Sequence, residues 1–199
     1  SVGPPAEHTA GATEFDLSPV RAAIDERPLR EVAEEAADVA GKYLASAGFV
    51  EAGELQPLGP EYVAAAELRR VGRTAGRLRA LTDEEEAYLL ALLRDADRGE
   101  RPAPGAVPET FHPERGLAVA ASIDAYLADL RRVLEPEGQL ARVISELQTQ
   151  QKRIEALDGN VDPATAEPVL DAAQQLSDAV DGDETALKRA ATALDDAGP

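Results

Sequence analysis

Residues 28–47, PLREVAEEAADVAGKYLASA, decide the class of fold. At about 100° per residue, Leu29, Val32, Ala33, Ala36, Val39, Ala40, Tyr43 and Leu44 fall on one arc, while Glu31, Glu34, Glu35 and Asp38 fall opposite. Pro28 at the start and Gly48 past the end are the residues that open and stop a helix. The segment therefore reads as an amphipathic helix with its four acids in water.

The same reading extends in both directions. Ser18 before Pro19 is read as an N-cap with proline at the first helical position. Residues 50–60, VEAGELQPLGP, read as a loop, and a further helix runs from about Glu61 to Ala80. Thr82 and Glu85 have the spacing of a capping box, which restarts the chain as TDEEEAYLLALLRDAD. Later, Ile123, Tyr126, Leu130 and Val133 recur at helical spacing, as do Leu140, Val143, Leu147, Ile154 and Leu157. Gln150 is polar within that second seam, a residue that can fix register in a coiled coil, although an ordinary amphipathic helix fits as well. Two short helices, about 164–180 and 184–196, joined at Asp181, Gly182 and Asp183, suit an αα-hairpin. The fold expected is all-α.

Composition agrees. Hydrophobic residues make up 44% of 199 residues but aromatics only 4%, so the apolar mass is Ala, Leu and Val, which suits close-packed helices better than a β-sandwich. Four prolines and two glycines in residues 99–113, GERPAPGAVPETFHP, mark the strongest boundary. The division expected is an extended arm at 1–15, an N-terminal helical domain at 16–98, a Pro/Gly-rich linker at 99–113 and a C-terminal helical domain at 114–199. The arm has no helical periodicity, and a partner subunit is the expected support for it.

The absence of cysteine excludes disulfides, a thiol nucleophile, thiolate zinc sites and iron–sulfur ligation, and only His8 and His112 remain for imidazole chemistry. Glu109 stands three residues before His112 but no Glu stands so before His8, and a carboxylate-bridged di-metal bundle wants that spacing on two helices, so such a bundle is disfavoured. Asp158, Asn160 and Asp162 match the first ligand positions of a calcium loop, but Pro163 stands where that loop needs Gly and Val169 where it needs Glu. A helix stop at Gly159 and an N-cap at Asp162 explain them better. His112 reads as a linker histidine rather than a lone base. No nucleophile elbow, phosphate loop or dinucleotide fingerprint is present. No catalytic residue, cofactor or metal is assigned, and a non-enzyme is expected.

The net charge is −18, from 38 acids and 20 bases. Against it stands LRRVGRTAGRLR, residues 68–79. On a helix, Arg69, Arg70, Arg73 and Arg77 share an arc of about 100°, with Ala64, Leu68, Val71, Ala75 and Leu78 behind them. This cationic ridge is the expected partner-binding site: it suits carboxylates of a neighbouring subunit, while pairing with the chain's own acids is the competing reading. Nucleic acid is disfavoured except at this stripe, since the rest of the chain repels phosphate. Gly72 and Gly76 lie inside the ridge helix, and either break it or admit another backbone.

Only Lys42, Lys152 and Lys188 are lysines, an Arg and Ala bias that points to a GC-rich genome, either a halophile's or an ordinary bacterium's. Ser1 fits loss of an initiator Met, and no leader or membrane span is read, so a cytoplasmic or virion location is expected. The function expected is a structural or adaptor subunit of an oligomeric assembly, such as a head–tail connector. The alternative is an acidic regulatory or binding protein, for instance a DNA mimic.

Overall fold

The computed structural model describes residues 13–198. It is all-α apart from one short hairpin: α1 Ser18–Ala22, α2 Leu29–Ser46, β1 Val50–Glu51, β2 Glu54–Leu55, α3 Pro60–Arg77, α4 Asp83–Asp95, α5 His112–Val133, α6 Gly138–Ala156, α7 Pro163–Gln174, α8 Leu176–Val180 and α9 Glu184–Asp196. No helix among the described residues is long and apolar enough to cross a membrane.

Helix α2 buries Val32, Ala33, Ala36, Ala37 and Ala40 and leaves Glu31, Glu34 and Asp38 exposed, as its periodicity requires; Glu35 is partly covered. The antiparallel α3 lies against it. Small residues make the approach close: a Cβ on Gly72 would stand 2.4 Å from the carbonyl oxygen of Ala33, and one on Gly76 would meet the side chain of Glu34. Helix α3 is unbroken through both glycines: Gly72 admits the α2 backbone and Gly76 the Glu34 side chain. It ends at Arg77, three residues short of the expected Ala80, where Arg30 Nη1 donates to the carbonyl of Leu78 at 2.6 Å.

Two expected details are corrected. Ser18 is the first residue of α1 rather than its cap; Leu17 holds the cap position, and the Asp16 carboxylate accepts from the Ser18 N–H at 2.8 Å. The segment 50–60 is not wholly loop, because Val50 pairs with Leu55 and Glu51 with Glu54. Ala52 and Gly53, at φ 51° and 85°, form the tight left-handed turn that a two-residue hairpin needs. The Thr82–Glu85 capping box is present, with both reciprocal hydrogen bonds.

Buried side chains form two clusters that are not partitioned by residue number. One gathers Leu17, Val20 and the inner faces of α2, α3 and α4, together with Val107 and Phe111. The other gathers α5, α6, α7 and α9, together with Phe49, Leu58 and Val63. Residues 99–113 thus run along the body of the molecule, with turns of 3-10 helix at Pro104–Ala106 and Glu109–Phe111 and the last two residues already in α5. The apolar anchors Val107 and Phe111 hold down a stretch whose proline content alone reads as a spacer.

Of the arm expected at 1–15, residues 1–12 lie outside the described residues. The remainder packs on its own chain: Phe15 is buried and stacks on Tyr43 at 5.0 Å between ring centroids. Asp97 then fastens the N-terminal segment, accepting from the Leu17 N–H at 2.9 Å and from Arg21 Nη1 at 2.8 Å. Burial opposes the charge on Asp97, but the Arg21 guanidinium and the Leu17 N–H outweigh it and hold the carboxyl below its usual range. A carboxyl whose pKa falls on folding contributes stability that is complete above about pH 4 and is lost as pH falls through its folded value. Asp97→Asn is therefore expected to cost about 1–3 kcal/mol at pH 7 and to flatten the acid limb of the stability profile. Urea titrations from pH 7 down to pH 3 check this; an unchanged acid limb would show that Asp97 is not the group responsible.

Candidate functional site

The four arginines of the ridge lie on α3 and differ in what they meet. Arg73 Nη2 is 3.3 Å from Asp38 Oδ1 in a pair exposed on both sides, worth about 0–1 kcal/mol. Arg69 lies over α2 where Gly41 has no side chain; a Cβ there would be 3.5 Å from Arg69 Nε. Arg70 is half-buried, and burial lowers its pKa; Arg69 adds to that lowering, while Glu114 and Glu155 oppose it. Arg77, in the last turn, is exposed, where a cation also suits the helix dipole. Among the described residues, only Arg73 of the four has a carboxylate within 4.0 Å. Glu114, the acid nearest in sequence on α5, accepts instead from Thr74 Oγ1 at 2.7 Å.

A second charged constellation lies inside the molecule. Glu67 of α3 is wholly buried and Arg115 of α5 is 2% exposed. Arg115 Nη1 donates to Glu67 Oε1 at 3.2 Å and to the Pro102 carbonyl at 2.8 Å, while its Nη2 donates to Glu167 Oε1 of α7 at 2.7 Å. Arg101 closes the ring, with Nη1 on Glu67 Oε2 at 3.0 Å and Nη2 on Glu167 Oε2 at 2.9 Å. Tyr88 of α4 donates its hydroxyl to Glu67, and its ring stacks on Phe111. Two guanidinium and two carboxylate groups balance, so each buried charge meets its opposite.

The shifts follow from this arrangement. Burial works against the Arg115 charge, but Glu67 and Glu167 more than compensate and raise its pKa. Burial, and then the Glu67 carboxylate, push the Tyr88 hydroxyl well up, which keeps it a donor. The network ties α3, α4, α5, α7 and the 101–102 segment together. The signal was present in the sequence: Glu67 falls on the apolar arc of α3, three residues after Ala64 and four before Val71.

A family of unknown function (DUF7117) matches residues 1–194. The chain belongs to the DUF7117 family. No curated protein and no solved structure matches it. The DUF7117 match runs through both clusters and so takes in α3, with its arginines, and every member of the Glu67–Arg115 network.

The remaining candidates of this DUF7117 chain resolve into structural roles. Asp162 caps α7, accepting from the Ala164 N–H at 2.8 Å, and no group of three metal-ligating side chains occurs among the described residues. His112 is the first residue of α5 rather than part of a linker, with Nε2 3.1 Å from the Val107 carbonyl. Gln150 turns toward the C-terminal end of its own chain, donating to the carbonyl of Gly198 at 3.1 Å. His8 lies outside the described residues.

Proposed function

We propose that this protein is a non-enzymatic structural or adaptor subunit that docks carboxylates of a neighbouring subunit on the arginine face of α3. One observation carries the reading: on a chain of net charge −18, Arg69, Arg70 and Arg77 stand together with no carboxylate of the described residues within 4.0 Å. Acidic side chains are abundant nearby, as Glu31, Glu34 and Asp38 on α2 show. Among the described residues these guanidinium groups thus have no ion-pair partner, and a guanidinium fork suits a partner's carboxylates. The chain's own acidic faces give a second copy the complementary chemistry.

The test is Arg73→Ala with Arg77→Ala, read by sedimentation alongside circular dichroism. An assembly docked through these residues is expected to dissociate, because each desolvated pair lost at an interface costs about 2–5 kcal/mol. Helicity of the separate chain should be kept, since exposed pairs contribute only about 0–1 kcal/mol each to folding. A wild-type chain that sediments at 21.0 kDa throughout, or an assembly indifferent to the double substitution, would overturn the reading.

A further inference from the structure

The arginine face has an inner end. Where α2, α3 and α5 meet, Leu44, Ala45, Ala66 and Ala121 line a groove of ≈ 260 Å³ together with Arg69 and Arg70. We propose that this groove receives a glutamate side chain from an acidic segment of the neighbouring subunit, its methylenes on the alanine and leucine floor and its carboxylate between the two guanidinium groups. The inference rests on the docking reading above and names the anchor point of that contact.

Three features select this occupant. First, Arg70 is half-buried with its pKa lowered by burial and by Arg69, so an incoming carboxylate relieves a desolvated, like-charged pair. Second, the floor is aliphatic, which fits an acid carried on a flexible stem better than a bare anion. Tyr62, whose hydroxyl is held neutral as burial raises its pKa, also lines the groove. Third, Glu114 and Glu155 act on Arg70 from α5 and α6, and the chain as a whole carries −18. At the groove that surround repels a doubly charged phosphate more than a singly charged carboxylate. Gly41 also lines the groove, with Arg69 lying over it.

The experiment is a titration of the isotope-labelled full chain with an amidated hexaglutamate peptide, followed by amide shifts. Shifts are expected at Gly41, Ala45, Ala66 and Ala121. Arg70→Gln should weaken binding by about tenfold or more, the loss of one charge-assisted hydrogen bond. Ala45→Leu, a substitution at an exposed position on the groove, should also weaken it while leaving the arginines untouched. A hexaaspartate peptide, with a stem one methylene shorter, should bind less tightly, and inorganic phosphate should not produce the same shifts.

No shift at these residues, shifts unchanged by both substitutions, or equal binding of phosphate would each overturn the proposal. Arg73 and Arg77 take no part in this measurement. A failed titration with an assembly that still dissolves on Arg73→Ala and Arg77→Ala would therefore remove the groove and leave the docking reading standing; the reverse pair of results would remove the docking reading, and with it the neighbouring subunit as the source of the glutamate, while the groove's binding of glutamate stood.

Discussion

Arg115→Met is expected to destabilise the chain by about 3–5 kcal/mol, because it removes one of the two guanidinium groups that face the wholly buried Glu67 and leaves Arg101 to serve both Glu67 and Glu167. The expected cost lies mainly in the carboxylate charge left in excess. Arg115 also donates to Glu167 and to the Pro102 carbonyl, so the same change loosens α7 and the 101–102 segment. The double variant Glu67→Leu with Arg115→Met should recover at least half of the loss, since Arg101 and Glu167 remain paired at 2.9 Å and an apolar pair removes the desolvation penalty. Urea denaturation of the two variants checks both statements. A single variant within about 1 kcal/mol of the wild type would show that water reaches Glu67.

A comparable loss is expected at the contact of two glycines. A Cβ on Gly116 of α5 would stand 2.2 Å from the carbonyl oxygen of Gly159, and one on Gly159 would stand 2.2 Å from the carbonyl oxygen of Pro113. Both obstacles are backbone, so neither can swing aside as a side chain would. Gly159 also sits at φ 74°, a conformation that costs an L-residue about 1–2 kcal/mol. Gly159→Ala is accordingly expected to cost about 3 kcal/mol or more and Gly116→Ala somewhat less, through overpacking alone. Gly105→Ala is the control, with nothing within 4 Å and no positive φ, and should stay within about 0.5 kcal/mol. Thermal or urea unfolding of the three variants distinguishes them, and equal stabilities would mean that α5 and the end of α6 can separate cheaply.

The sequence by itself determined the helical class, the amphipathic face of α2, the capping box that starts α4 and the cap at Asp162, since each is written in residues within one or two turns of one another. It also determined that Arg69, Arg70, Arg73 and Arg77 share one face of α3, because a helix fixes the relative direction of side chains so close in sequence. Tertiary structure decided whom those side chains meet. Nothing within α3 indicates that Arg73 reaches Asp38 while Arg69 lies over Gly41, or that Gly72 serves the approach of Ala33 rather than a break. Likewise Glu67, Arg101, Arg115 and Glu167 come from three helices and a connecting segment far apart in the chain, so their charges read one by one as solvated. Burial is a property of the assembled helices. Only when α3, α5 and α7 close around those four groups does water leave, and only then does each carboxylate need its arginine.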